Sequence, residues 1–236
     1  LIVLGGAVLS LILFFFESYG DLAWFYAWVV LSGFLVLIQP LFTLFIAPMF
    51  NTFTPLEDGE LKDRINDFAK KVHFPISRID VMDGSRRSSK SNAYFSGLGK
   101  NKRIALFDTL IEKHSVDELL SIIAHEVGHY KKRHNIKGIV LGVVQTGIMF
   151  FLLSIFLNNP GLFAAFKMEN LSIYASLLFF SVLYSPIELI MSFVGNAISR
   201  KHEFEADAFA KKSIETGEHL INGLKNLTVT NLGNLT

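Results

Sequence analysis

Residues 122–134, IIAHEVGHYKKRH, place two histidines four positions apart, with a glutamate directly after the first. On an α-helix His125 and His129 lie one turn apart on a single face. Two imidazole nitrogens so placed reach one ion at about 2.0–2.1 Å each, the usual Zn–N distance. Glu126 sits about 100° further round the helix. From there its carboxylate reaches a water on the ion without being a ligand itself. The chemistry open to this pattern is metal-assisted hydrolysis of a peptide bond with a glutamate general base. The plain alternative is a helix that carries two half-exposed histidines. Three residue types held in five positions arise by chance in a chain of 236 residues less than about once in a hundred. Gly128, inside the motif, lets another backbone or a substrate approach closely.

A catalytic zinc takes three protein ligands and keeps one position open. The chain has no cysteine, which removes thiolate ligands, disulfides, iron–sulfur clusters and cysteine nucleophiles together. The third ligand must then be His, Asp or Glu. The segment SRKHEFEADAFAKK, residues 199–212, offers Glu203 and Asp207 at i, i+4. One carboxylate of such a pair can bind the ion while the other takes the N–H of a ligand histidine and fixes its tautomer. His202 competes for the third position, and Glu205 points elsewhere on the helix. The alternative for this acidic cluster is a solvated, salt-bridged face. His134, beside Lys131, Lys132 and Arg133, reads as an interfacial anchor rather than a ligand. His73, His114 and His219 show no partner pattern.

The elements that must position these residues are unusual for a soluble protein. The composition is 51% hydrophobic and 13% aromatic, with a mean hydropathy of +0.41, and the apolar residues crowd into long uncharged runs. Four runs stand out, at 1–16, 22–50, 136–157 and 171–198. Runs near or beyond about 20 residues predict membrane spans. Pro40 is expected to kink the second and Pro48 to bend or end it, while Pro186 and Glu188 interrupt the fourth. Between the second and third lies a segment that reads as a small α+β domain. Leu61, Ile65, Phe68 and Val72 share a helical face closed by Pro75. SRIDVMDG alternates as a strand, and SKSNAYFSG with KRIALFDTLI reads as a hairpin. Ser115 and Glu118 form a capping box ahead of a helix from about 116 to 134 that carries the histidines.

The fold class expected is therefore mainly α: a multi-pass membrane protein of about four transmembrane helices with an inserted small α+β domain that carries a β-hairpin and the HExxH helix. Its organisation reads as two transmembrane helices in 1–50, the α+β domain in 51–135, a transmembrane hairpin in 136–198, and a helix with the third ligand in 199–236. Residues 51–135 hold fifteen Lys and Arg and the tail after 198 holds five, whereas the connectors 17–21 and 158–170 hold none and one. That bias puts both metal-binding pieces on the cytoplasmic side. A site split by a transmembrane hairpin explains the 74 positions between His129 and Glu203. The lipid bilayer is one partner, and a net charge of only +1 implies no nucleic acid. SKSNAYFSG can lay an exposed strand edge beside a peptide. Glu188, Ser192, Asn196 and Arg200 recur every four residues and are expected to face a wet interior or a neighbouring helix. Arg86, Arg87 and Lys90 read as a solvated loop.

Taken together, IIAHEVGHYKKRH, SRKHEFEADAFAKK and DGSRRSSKSNAYFSGLGKNKRIALFDTLI resemble the integral-membrane zinc metalloproteases of the CAAX prenyl protease type 1 (Ste24) family, peptidase family M48. The likeness runs from about residue 40 to 227. It implies one zinc per chain on His125, His129 and Glu203, with Glu126 as catalytic base and Asp207 supporting the catalytic centre from behind the ligands. It implies that the strand around Asn92 and Ala93 binds a peptide or protein substrate, prenylated near its C-terminus in eukaryotic members of the family and, in bacterial or archaeal ones, open to general membrane-protein turnover. It further implies a helical barrel around a water-filled chamber, in an endoplasmic-reticulum or bacterial inner membrane. The chain departs from the family in two respects. Eukaryotic members carry about seven spans, and a downstream His-Pro segment has no counterpart after Pro186. The chain is accordingly read as truncated at both ends. Two other readings stay open: a general quality-control protease of the HtpX-like type, and a catalytically silent membrane scaffold.

Overall fold

The computed structural model describes residues 2–86, 92–96, 102–157, 159–167, 173–214, 221–223 and 225–226. In chain order the helices are α1 (Ile2–Ser18), α2 (Ala23–Leu41), α3 (Ala47–Phe50), α4 (Glu60–Lys71), α5 (Asp108–Lys113), α6 (Val116–Lys131), α7 (His134–Leu157), α8 (Pro160–Ala165) and α9 (Ile173–Ile214). The strands are β1 (Phe53–Pro55), β2 (Arg78–Met82), β3 (Ala93–Ser96) and β4 (Arg103–Phe107). The chain forms two compact units. One combines residues 1–38 with 136–199, the other 39–135 with 200–236.

The first unit is built of apolar helices. Among the described residues, Gly20–Ile38, His134–Leu157 and Ala175–Ile214 are long and apolar enough to cross a membrane, and Gly6–Ser18 is a shorter apolar helix. Three of the four expected spans thus meet the length requirement. The small core gathers Ala27, Phe150, Leu153, Leu157 and Phe180, with Trp24 and Trp28 packed against it. Large side chains such as Leu37, Ile155, Leu178 and Phe193 point outward and are exposed, an arrangement suited to lipid rather than water. Trp28 donates its indole N–H to the carbonyl of Val143 at 2.8 Å. Gly147 makes room for that ring, because a Cβ there would meet Trp28 Nε1 at 3.0 Å.

The three prolines expected to kink, bend or interrupt the spans all lie within helices, Pro48 in the first turn of α3, which ends two residues later at Phe50. Pro40 lies inside α2, and a single wide π-turn, Phe42–Ile46, follows before α3 resumes. That turn precedes Pro48 and contains Leu44, whose carbonyl is the one that Pro48, lacking an N–H, leaves without its usual partner. Pro186 does not interrupt the last run, because α9 continues through it. Proline lacks the N–H that would bond the carbonyl four residues back. That carbonyl belongs to Val182, and the Ser185 hydroxyl donates to it at 2.8 Å. The orphaned acceptor is therefore satisfied within the span, as an apolar environment demands.

The second unit holds a four-stranded sheet in the order β1-β2-β4-β3. The expected hairpin is present: β3 and β4 pair antiparallel, Ala93 opposite Leu106 and Ser96 opposite Arg103. The connecting residues 97–101 lie outside the described set, as do Arg87, Lys90 and His219. β4 also pairs parallel with β2, and β1 adds an antiparallel edge. The core seats Ile65, Phe68 and Val72 of the α4 segment against Ile104 and Leu106 of β4 and Leu119, Ile123 and Val127 of α6. Leu61 is only partly buried. Helix α4 ends at Lys71, before Pro75, through a left-handed His73 (φ 49°). Asp80, fully buried on β2, is paired with Arg78 and Arg103. A buried carboxylate needs such partners.

Candidate metal centre

Helix α6 starts where the sequence says it should. The Ser115 hydroxyl accepts from the Glu118 N–H, and the Glu118 carboxylate accepts from the Ser115 N–H. Leu119, Leu120, Ile122, Ile123, Ala124 and Val127 anchor the helix in the core. That anchoring turns Glu126, His129 and Tyr130 toward a cavity of about 700 Å³. The helix ends earlier than expected, at Lys131. Arg133 takes a left-handed conformation, φ 56°, and α7 begins afresh at His134.

The C-terminal part of α9 closes over α6 at Gly128. A Cβ on Gly128 would meet the Ala206 Cα at 3.0 Å and its carbonyl oxygen at 3.1 Å. Ala206 and Ala210 are themselves fully buried. Glycine facing alanine brings the two helix backbones together, and with them Glu203, about one turn before Ala206, and Asp207, the residue directly after it, come over the histidines. The approach that Gly128 permits is thus that of another backbone.

His125 Nε2 and His129 Nε2 are 3.0 Å apart. Glu203 Oε2 lies 3.4 Å from the first and 3.5 Å from the second. These residues form the one group of potential metal ligands among the described residues, with ligand atoms within 4.8 Å of one another. Ligand atoms about 2.0–2.1 Å from a tetrahedral ion lie about 3.3 Å apart, so the observed separations match three edges of such a tetrahedron. Two imidazoles and a carboxylate are also a donor set that zinc accepts. The donor set and its spacing fit the metal.

The residues behind the ligands complete the geometry. His125 donates from Nδ1 to Asp207 Oδ1 at 2.8 Å, which leaves Nε2 as the free acceptor. His129 Nδ1 meets His134 Nδ1 at 3.0 Å, and His134 Nε2 meets Glu205 Oε2 at 3.0 Å. His134 is buried, 4% exposed, and stacks nearly parallel on His202 with centroids 4.0 Å apart. The reading of His134 as an interfacial anchor is therefore wrong. The reason is the break before it. Five positions along a continuous helix would put His134 about 140° round from His129. The left-handed Arg133 returns it to the same side. His202, the rival third ligand, stacks on His134 and stands outside the ligand group.

Glu126 lines the cavity beside the ligands. Burial pushes its carboxyl up from the ordinary range, with the Glu203 charge adding to that and His125 opposing it. A carboxylate so raised is a stronger base. The cavity floor is largely apolar, formed by Met82, Tyr94, Phe95, Phe107 and Tyr130. Asn92 is exposed and lines the same cavity, whereas the Ala93 side chain is buried in the core. The Asn92 carbonyl accepts from the Phe107 N–H, so antiparallel alternation turns the backbone of Ala93 and Phe95 to the open edge of the sheet. Asn51, Asn135, Met82, Phe107 and Tyr130 carry no spacing pattern. Strand register could have flagged Tyr94 and Phe95, which directly follow the recognised Ala93 on β3.

Comparison with known proteins agrees with this geometry. A family profile described as peptidase family M48 matches residues 55–232, and one described as CAAX prenyl protease N-terminal, five membrane helices, matches residues 1–52. CAAX prenyl protease 1 of Saccharomyces cerevisiae is 38% identical over 249 residues, covering 98% of this chain and 54% of that protein. The CAAX prenyl protease 1 homolog of Homo sapiens is 34% identical over 265 residues, covering 96% of this chain and 56% of its own. The crystal structure of S. mikatae Ste24p superposes with a TM-score of 0.85 at 36% identity, over 100% of this chain and 58% of that one. The chain spans about half the length of the curated relatives it matches. Its apolar helices and the N-terminal match together make it an integral membrane protein.

Proposed function

The chain belongs to peptidase family M48, and on that premise we propose that it is a membrane zinc endopeptidase. The observation that carries this is the trio His125, His129 and Glu203, with Glu126 in the same cavity. The three residues would hold one zinc ion, which when bound supplies Lewis-acid polarisation of the scissile carbonyl and an acidified water. Glu126 takes the proton of the attacking water and delivers it to the leaving amine. Asp207 keeps His125 in the tautomer whose Nε2 faces the ion. The open edge of β3, the Phe95 backbone and the Ala93 carbonyl, pairs with an extended peptide through main-chain hydrogen bonds, while the Ala93 N–H donates to Asn92 Oδ1 at 2.9 Å and Asn92 borders that groove. The apolar floor receives a hydrophobic side chain.

The matched relatives carry the name CAAX prenyl protease, which favours a substrate with a prenylated C-terminal segment. The excess of Lys and Arg in 51–135 and after 198 favours an active site on the cytoplasmic side. Cleavage of a farnesylated C-terminal peptide and its unfarnesylated twin by detergent-purified protein tests the substrate, with Glu126→Gln as blank. Cleavage of the farnesylated peptide alone is the expected result. Equal cleavage of both would turn the reading toward general membrane quality control. Bound zinc with neither peptide cut, across a panel of unrelated peptides, would leave a silent scaffold.

A further inference from the structure

The cluster behind His129, buried His134 with the partly exposed Glu205 and His202, has no part in the chemistry described so far. We propose that His134 and Glu205 form a positioning relay that holds His129 in its ligating tautomer and sets the affinity of the metal centre. The proposal rests on the assignment of His125, His129 and Glu203 as the zinc site.

His129 presents Nε2 to the ligand group, so its proton resides on Nδ1. That N–H finds His134 Nδ1 at 3.0 Å, which must then be the acceptor. His134 in turn carries its proton on Nε2 and donates it to Glu205 Oε2 at 3.0 Å. Every ring nitrogen in the chain has one role, and the roles are mutually consistent. His125 gets the same service directly from Asp207. Both ligand histidines are therefore backed by carboxylates from one turn of α9, His125 by contact and His129 through one imidazole. Burial of His134 and its stacking on His202 keep the intermediate ring from rotating. Outer partners of this kind are worth about 10–100-fold in metal affinity.

The test is zinc affinity of the detergent-purified protein, measured by chelator competition and independent of turnover. His134→Ala should weaken zinc about 10–100-fold. His134→Asn, whose amide oxygen can accept from His129 Nδ1 but cannot reach Glu205, should recover most of that loss. Glu205→Ala, a partly exposed helix position, should weaken zinc several-fold alone and add nothing in the His134→Ala background, the signature of a shared chain. If His134→Ala fails to fold, Glu205→Ala and His134→Asn still decide. Unchanged zinc affinity in folded Glu205→Ala and His134→Asn together with folded His134→Ala, or strictly additive losses, would overturn the relay. His129→Ala and Glu203→Ala serve as controls. If they too bind zinc normally, the metal site itself is wrong; if they lose zinc while the His134 and Glu205 variants do not, only the relay is wrong.

Discussion

Each side chain of the centre has a separable duty at the scale of the residue. Glu126 borders the ligand atoms without belonging to them, so Glu126→Gln should retain zinc and lose turnover by about 10²-fold or more, checked by metal content beside peptide cleavage. Near-normal turnover would remove the general-base role. Glu203, Asp207 and His202 are the rivals for the third ligand, and the geometry favours Glu203. Glu203→Ala should strip the metal, while His202→Ala should leave it bound, as read by zinc content after dialysis. The opposite pattern would reverse the assignment. Asp207→Asn keeps the size of the side chain but can present an N–H to His125 Nδ1. It should weaken zinc about 10-fold or more, measured by the same competition titration.

The contacts between α6, α5 and their neighbours set the centre's precision at the scale of the element. Gly128→Ala puts a methyl 3.0 Å from the Ala206 backbone, and backbone yields less readily than a flexible side chain. Helix α9 must shift by a few tenths of an ångström, so zinc affinity and thermal stability should fall together. A variant unchanged in both would show that the close approach is not what seats Glu203. Ser115→Ala removes the capping box and should cost about 1 kcal/mol, read from the denaturation midpoint. At the start of α5, Asp108 feels burial, which raises its carboxyl, but the Ser85 hydroxyl and the N–H groups of Ser85, Thr109 and Gly84 outweigh it and hold the group low. A carboxylate lowered on folding stabilises the fold above its unfolded value, about 3.9. That contribution is lost as pH falls through the lower folded value. The stability gap between wild type and Asp108→Asn should therefore be open at neutral pH and close below about pH 4. A gap that widens in acid would contradict the shift.

At the scale of the whole molecule, the uneven distribution of Lys and Arg predicts which side of the membrane each segment faces. The chain has no cysteine, so single-cysteine variants report sidedness without background. Asp58→Cys, exposed in the second unit, should react with an impermeant maleimide from the cytoplasmic side. Tyr19→Cys, in the first connector, should react from the other. Labelling of both from one side would refute the charge-derived topology.

Much of the centre is legible along the chain because it rests on local periodicity. The spacing of His125, Glu126 and His129, the Ser115 capping box, and the i, i+4 pair of Glu203 and Asp207 all depend only on helical pitch. The hairpin strands and the apolar runs follow from alternation and length in the same way. The choice between Glu203, Asp207 and His202 could not be made so, because it depends on how α9 lies across α6, which Gly128 and Ala206 decide by contact. His134 and Glu205 were hidden for a related reason. One left-handed residue, Arg133, ends a helix that the pattern would continue, and a periodic reading carried past that break assigns the following side chain to the wrong face. Pro186 shows the converse, since the Ser185 hydroxyl satisfies the carbonyl that the proline orphans and the helix continues. Periodicity determines which residues share a face, and only the packed structure decides which faces meet.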